Sequence, residues 1–327
     1  MHLSATTMLA LLLAVTAATW LAASGSNDSA ACGSTWPNSP TVVLGSGSEM
    51  PRVGLGTAAL GGERTRRAVR AALDAGIRMF DGAEATEWYD DRSLGAELRL
   101  AVDEGRVARN ELFITTKLHP KNLGTVSTRK AIEEMLVNLQ TDYLDLVLIH
   151  FPVCGHWINT CTDVQVEGTW RDSWRVMEAF VQQGKLRAIG LSNFDQAELQ
   201  QAIAFATHKP DVVQNWMDPF HQDKAVRALC AAEGIVYTSY STLGGQWEHR
   251  GERRNLVKES STIREVANRH KLHWSSVALR WALQRGAVVI PRSASPSHIA
   301  DNAGLLGPGA VALTEAELAA IDALLQE

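Results

Sequence analysis

Eight short apolar runs, separated by amphipathic stretches, recur along the chain after Pro40, and this alternation restricts the fold more than any other feature. The runs are Val53 to Gly56, Arg78 to Asp81, Leu112 to Lys117, Leu146 to His150, Ala188 to Leu191, Val212 to Gln214, Val236 to Ser239 and Val288 to Ile290. They are short and rich in β-branched residues, which predicts strands. The stretches between them carry apolar residues at three-and-four spacing, as in Ala131, Met135, Leu136 and Leu139, which predicts helices. Asp195 with Glu198, and Thr314 with Glu317, have the spacing of reciprocal helix caps. Strands alternating with helices predict a parallel sheet, and eight such units predict an α/β fold, the (β/α)8 TIM barrel. Ahead of the first unit, Gly45-Ser46-Gly47 separates Thr41–Leu44 from Ser48–Val53. This predicts a β-hairpin closing the barrel's bottom.

A doubly wound sheet is the rival architecture. Gly54-Leu55-Gly56-Thr57-Ala58-Ala59 has the form G-x-G-x-x-A, but no acidic residue ends a second strand to hold a ribose. Asp74, at about the right distance, lies inside a helical pattern. These glycines are therefore expected to serve close backbone packing at the mouth of the first strand.

The formal net charge is -5. It offers no basic face for nucleic acid. The basic cluster from Arg250 to Arg254 is interrupted by Glu252 and reads as solvated loop. Met8 to Ala23 is uncharged and apolar or small, and a polar stretch follows it. Residues 1–24 are expected to be a signal peptide or signal anchor and 25–40 a linker, with the barrel domain over 41–327. That predicts the secretory pathway lumen or secretion, with membrane anchoring as the alternative if the segment stays uncleaved. Asn27-Asp28-Ser29 is a formal glycosylation sequon. Of four cysteines (Cys32, Cys154, Cys161 and Cys230), Cys154 and Cys161 share one irregular stretch. They would close a small disulfide loop in an oxidising compartment, and two free thiols are the alternative. The spacing gives no zinc site.

Asp81, Lys117 and His150 each end an expected strand. Strand C-termini converge on one barrel face, so three ionisable groups meet there. Met79-Phe80-Asp81-Gly82-Ala83, Ile114-Thr115-Thr116-Lys117, Tyr143 to His150, Gly184 to Phe194 and Ile290-Pro291-Arg292-Ser293 appear in the order in which aldo-keto reductases carry similar segments. The chain resembles that family from about Thr41 onward. One departure stands out: the family's tyrosine follows its aspartate by five residues, and here that position is Thr86. Tyr89 precedes Asp90-Asp91-Arg92-Ser93-Leu94-Gly95, a stretch like the one that usually follows the tyrosine. A short insertion within Glu84–Trp88 therefore hands the role to Tyr89.

The resemblance implies hydride transfer between NADPH and an aldehyde or ketone, with NADH as the alternative donor. A phenol with an ordinary pKa of about 10 is a poor proton donor near neutrality. At about 4 Å and an effective dielectric of about 20, an ammonium interacts with a phenolate by about 4 kcal/mol, so Lys117 is expected to lower the Tyr89 pKa. Asp81 would anchor the ammonium, and His150 would orient the carbonyl. The resemblance also implies that Ser192, Asn193 and Gln214 hold the nicotinamide carboxamide and that Tyr240 stacks on its ring. Ser241 and Leu243 would line the pyrophosphate loop, with Gly56 and Thr57 at the mouth of the first strand. Arg292, Ser293 and His298 would serve the adenosine phosphate, and Asn302 the adenine. His298 stands where the family often has Arg, and a neutral imidazole holds phosphate less strongly.

Trp88, Trp157, Trp216 and Trp247 are candidate walls for an apolar or aromatic carbonyl substrate. The family's long C-terminal substrate loop has no counterpart after the helix begun by Thr314. A monomer is expected, with a small molecule as its partner. A cofactor-binding sensor or scaffold of the same fold is the alternative, and it predicts a damaged tetrad.

Overall fold

A computed structural model describes residues 40–252 and 254–325. The expectations for residues 1–24, for all but the last residue of the linker, for the sequon at Asn27 and for Cys32 lie outside the described residues. Thr41–Val43 (β1) and Glu49–Pro51 (β2) pair antiparallel as the expected hairpin. Eight strands follow: Leu55–Gly56 (β3), Met79–Asp81 (β4), Phe113–Leu118 (β5), Leu144–Ile149 (β6), Leu186–Ser192 (β7), Val212–Trp216 (β8), Val236–Tyr240 (β9) and Val288–Val289 (β10). Each pairs in parallel with its sequence neighbour. Parallel bridges from Val53 to Val289 and from Gly56 to Arg292 join the first strand region to the last, so the sheet closes. β3 and β10 are shorter than the expected runs because isolated bridges, not a continuous ladder, make this seam.

The helices are Glu63–Asp74 (α1), Asp91–Asp103 (α2), Thr125–Asn138 (α3), Trp170–Gln182 (α4), Gln196–Phe205 (α5), Lys224–Glu233 (α6), Gly245–His249 (α7), Leu256–Glu259 (α8), Ser261–His270 (α9), Trp274–Gln284 (α10), Pro296–Ala303 (α11) and Glu315–Asp322 (α12). Both expected caps form. Asp195 accepts from the Glu198 N–H at 2.8 Å and Glu198 returns the bond to Asp195 at 2.9 Å. Thr314 and Glu317 do the same at 3.3 and 2.9 Å. No described helix is long and apolar enough to cross a membrane.

Alternation along the strands sorts the core into two layers. Met79, Phe113, Leu146, Leu148, Ala188, Val212 and Val288 form an inner cluster with Leu44 and Met50 of the hairpin. Phe80, Ile114, Val147, Ile149 and Val213 belong to a larger cluster shared with the helices. The hairpin thus plugs the barrel floor with two apolar side chains.

A buried carboxylate fastens the plug. Asp211 accepts from the Ser46 N–H at 2.6 Å, from the Ile189 N–H at 3.1 Å and from His208 Nε2 at 2.8 Å. The bond to Asp211 raises the His208 pKa against the effect of burial. A raised histidine contributes its stability below its unfolded pKa and loses it as pH rises through the folded value. Asp211→Asn is therefore expected to cost about 2–3 kcal/mol, with a larger deficit at pH 5.5 than at pH 8. Urea midpoints at the two pH values measure this, and an equal deficit would exclude the ion pair as its source.

Candidate active site

Strand β5 explains how a lysine comes to lie inside a barrel. Thr116 faces the helix layer and donates to Asp91 Oδ2 at 2.7 Å. Lys117, one residue on, faces the opposite way and is 1% exposed. Its ammonium donates to Asp81 Oδ1 at 2.6 Å and to the Gly82 carbonyl at 2.7 Å. Asp81 ends β4 and is 2% exposed; its second oxygen accepts from Gln214 Nε2 at 2.8 Å. The Thr57 hydroxyl donates to the Asp81 carbonyl at 2.8 Å. Burial acts to lower the Lys117 pKa, but Asp81, Tyr89 and Asp91 outweigh it and the pKa is raised. The ammonium stays charged.

Tyr89 comes from a loop. Trp88 and Tyr89 both donate backbone N–H groups to the Ala85 carbonyl at 2.9 Å, forming a tight turn that leaves Thr86 exposed. Lys117 Nζ lies 4.8 Å from the centre of the half-buried Tyr89 ring. The expected lowering of this phenol's pKa does not occur. Burial raises it, and the Lys117 charge offsets that only in part. The phenol therefore stays protonated at neutral pH.

His150 follows β6 and is 6% exposed. Its ring lies 6.0 Å from Tyr89, 5.8 Å from Trp88 and 4.8 Å from Phe151. Burial, then the charges of Lys117 and His119, holds its pKa well below the usual histidine value, so the ring is neutral. Nδ1 is buried without a hydrogen-bond partner. An unpaired buried N–H costs more than an unpaired acceptor, which assigns the proton to Nε2.

Beside this group the ends of β7, β8 and β9 are tied together. Ser192 donates to the Gln214 carbonyl at 2.7 Å. Asn193, held at φ 60°, donates from Nδ2 to the His150 carbonyl at 2.8 Å and accepts from the Tyr240 hydroxyl at 2.6 Å. Ser241 also has a positive φ, 51°, and the Leu243 carbonyl accepts from Asn255 at 2.8 Å. At the closing seam a Cβ on Gly56 would stand 2.6 Å from the Ile290 carbonyl, the close packing expected of these glycines. Arg292 leaves this seam exposed, followed by half-buried Ser293, and α11 carries exposed His298 and buried Asn302.

The tryptophans divide. Trp88 joins His150 and Phe151, and Trp157 packs edge-on against Phe151 at 4.6 Å. Trp216 and Trp247 instead pack on each other at 5.1 Å, and both indole N–H groups donate to buried Asp218, at 2.8 and 3.0 Å. Arg250, read as solvated loop, lies 4.6 Å over the Trp216 ring. Cys154 and Cys161 form a disulfide. Among the described residues no group of three His, Cys, Asp or Glu is arranged to hold a metal.

Sequence reasoning missed Asp91, His119, Phe151 and Asp218. Phe151 and His119 had a signal: they stand one and two residues beyond the expected ends of their strands, at the same rim. Asp91 resembled an ordinary first-turn helix acid. Burial pushes its pKa up to about 7, against the Thr116 hydroxyl, the Lys117 charge and the Ala83 N–H. An acid with a raised folded pKa loses stability as pH climbs from its unfolded value of about 4 to the folded one. Asp91→Asn is expected to flatten the denaturation midpoint by one proton's worth between about pH 4 and 7. An unchanged slope would mean that Asp91 is ionised throughout.

The model of the Aldo/keto reductase family matches residues 52–326. The NAD(P)H-dependent D-xylose reductase of Scheffersomyces stipitis is 34% identical over 290 residues, 80% of this chain and 88% of that protein. Aldo-keto reductase family 1 member A1 of Gallus gallus is 32% identical over 294 residues, 86% of this chain and 88% of that one. A Bombyx mori aldo-keto reductase solved in complex with NADP superposes with a TM-score of 0.78 at 29% identity, covering 88% of this chain and 93% of its own. With eight parallel strands closed around a plugged floor and these relatives spanning nearly all of it, the chain belongs to the aldo/keto reductase family.

Proposed function

We propose that this chain reduces an aldehyde or ketone to an alcohol with NADPH, and that Tyr89 is the proton donor. The observation that carries the reading is the buried Lys117–Asp81 pair beneath the Tyr89 ring, with a neutral His150 alongside. A sensor of the same fold would have a damaged tetrad, and these four residues argue against it.

The dinucleotide supplies a hydride to the carbonyl carbon when bound. The mouth fits such a group in its chemistry. Ser192, Asn193 and Gln214 offer donors and acceptors suited to a carboxamide, and the Tyr240 ring is fixed by its bond to Asn193. Gly56 and Thr57 lie at the end of β3, and Ser241 and Leu243 follow β9, on the two sides of β10 at that mouth. Arg292, Ser293 and His298 would hold the adenosine phosphate, and Asn302 the adenine. Guanidinium–phosphate pairing favours NADPH, with NADH as the alternative. The Bombyx mori relative's NADP and the Scheffersomyces stipitis relative's NAD(P)H dependence support the same choice.

The chain's own residues manage the charge. As negative charge develops on the carbonyl oxygen, the Tyr89 hydroxyl gives it a proton. The Lys117 ammonium stabilises the phenolate that remains, and Asp81 holds the ammonium in place. His150 donates from Nε2 to the same carbonyl oxygen and orients it. For the compartment, the leader-like residues 1–24 support the secretory route, and the Cys154–Cys161 bond agrees with an oxidising lumen. Sequencing the mature N-terminus tests that reading, and an intact residue 1 on soluble cytosolic protein would overturn it. The chain is proposed to act as a monomer, free of membrane once the leader is removed.

Tyr89→Phe is expected to lower kcat for aldehyde reduction about 10²–10⁴-fold while NADPH binding, followed by fluorescence titration, stays within twofold. Because the phenol's pKa is raised and the imidazole's lowered, kcat should show no acid limb near pH 6.5 and should hold to at least pH 9. A Tyr89→Phe variant keeping more than a tenth of its activity would remove Tyr89 from the mechanism.

A further inference from the structure

Residues 82–90 join β4 to α2 and carry Tyr89, residues 119–124 join β5 to α3, and residues 151–169 join β6 to α4. One side chain from each of these loops meets at Glu87. The Thr160 hydroxyl donates to Glu87 Oε1 at 2.7 Å. His119 is fully buried, and its Nδ1 accepts from the Lys121 N–H at 3.0 Å, so its proton sits on Nε2. Nε2 lies 2.8 Å from the same Glu87 oxygen and 2.9 Å from Thr160 Oγ1. Two donors thus converge on one carboxylate oxygen. Burial acts to raise the Glu87 pKa, but Thr160, the Glu87 backbone and His119 outweigh it and the pKa is lowered. Burial lowers the His119 pKa, against the pull of Glu87. The node is therefore an ionised acceptor with two neutral donors.

Glu87 is two residues from the phenol. The turn between them has the Trp88 and Tyr89 N–H groups on the Ala85 carbonyl, both at 2.9 Å, and the Trp88 ring stacked on His119 at 6.4 Å. On the side of β3 the same turn is held by the Ala59 N–H, which donates to the Trp88 carbonyl at 2.7 Å, and by the Gly62 N–H, which donates to Asp90 at 2.7 Å. Strand β4 lies between β3 and β5, so Glu87 is the matching hold on the other side.

That hold ends in a covalent bond. Thr160 is the middle residue of the turn Asn159–Cys161, and Cys161 is bonded to Cys154, with Cα atoms 5.4 Å apart. Ile158, inside the ring so closed, is fully buried. Cys161 is buried as well, whereas Cys154 is half-buried, so a thiolate arriving from solvent reaches the Cys154 side of the bond.

We propose that Glu87 is a positioning residue for the proton donor and that the Cys154–Cys161 bond, acting through Thr160, keeps it in place, so that opening the bond with a dithiol slows the reduction. The proposal rests on the reductase reading and names a regulation of that site. One thiolate of the dithiol attacks the Cys154 sulfur, and Cys161 leaves as a thiolate that takes up a proton. The second thiolate closes the dithiol into a disulfide and releases Cys154, so the dithiol loses the two electrons that the protein disulfide gains. With the ring open, Thr160 no longer has a fixed place from which to hold Glu87, and a small misplacement of a reacting group is costly.

The test opens the bond with excess dithiothreitol, removes the reagent by desalting under argon and confirms by alkylation and mass spectrometry that Cys154 and Cys161 are thiols. In single turnovers of the NADPH-loaded chain with saturating 4-nitrobenzaldehyde, the reduced chain is expected to oxidise NADPH about tenfold more slowly, with KM and NADPH affinity within about twofold. Re-oxidation should restore the rate. Cys154→Ser/Cys161→Ser, Thr160→Val and Glu87→Ala should each be slow to a similar degree, the first without further response to the dithiol, while Glu87→Gln, which keeps an acceptor oxygen, should stay near wild type. Amide exchange in the segment 85–89 reads the same hold without turnover, and it should quicken on reduction while exchange in β5 does not. A reduced chain with unchanged rate and unchanged exchange refutes the proposal. If reduction slows turnover but Glu87→Ala and Thr160→Val match wild type, the route through Glu87 is refuted, and a change confined to KM refutes the positioning role. A bond that the dithiol cannot open in the folded chain refutes the thiol control, and the serine variant then judges the positioning alone. An oxidised wild-type chain that binds NADPH but turns over no aldehyde overturns the reductase reading and leaves the hold on the Tyr89 loop to be judged by exchange.

Discussion

An ammonium and a carboxylate held 2.6 Å apart inside a barrel, each almost wholly out of water, set the terms for the rest of this molecule. Removing two charges from solvent costs several kcal/mol per ion, and mutual attraction repays it only when every remaining donor and lone pair is used. Here they are used. The Gly82 carbonyl takes a second lysine proton, and Gln214 satisfies the second Asp81 oxygen. A hydrophobic pair would fill the space at less cost. What the ion pair adds is a fixed positive charge under the Tyr89 ring, where a departing proton leaves negative charge behind.

The barrel's role is to hold that pair still. Lys117 and Asp81 stand on adjacent hydrogen-bonded strands, so their separation is set by sheet geometry and not by loop conformation. The sheet keeps its geometry because it is closed and filled. The seam between β3 and β10 closes over Gly56, and Leu44 and Met50 fill the floor from the hairpin. Asp211 is the floor's counterpart to Asp81. It is buried too, but the groups it binds are backbone N–H donors and a histidine at the far end of the barrel, so its contribution is stability alone.

Strand order, the hairpin and three of the four central residues were legible in the sequence, because each depends on local pattern plus one general rule about strand ends. Tyr89 was legible only through the resemblance of the segment after it, since spacing pointed to Thr86. The fate of the tryptophans was not legible. Trp216 and Trp247 turn to Asp218, 29 residues from Trp247, and no periodicity reports a meeting of two loops. The direction of the Tyr89 pKa shift was misjudged for a physical reason. A charge–charge estimate counts the ammonium, but not the water that the phenolate would lose on burial.

That loss sets what the proton transfer needs. With its pKa raised by burial, the Tyr89 phenol is a weaker acid than a free one, so its proton moves only toward charge developing beside it. It also makes position critical, because Tyr89 rides on a loop while Asp81 and Lys117 ride on strands. The loop has few backbone bonds of its own, and its own acidic side chains tie it to the neighbouring loops. Glu84 accepts from the His119 N–H and from Asn122 Nδ2, and Glu87 meets His119 and Thr160. Burial pushes the Glu84 carboxyl up to about 7, against those bonds, so the brace is itself under electrostatic tension near neutrality. A proton donor must sit within a fraction of an ångström of its target, and a donor carried on a loop meets that demand only where the neighbouring loops supply the rigidity that a strand would have given.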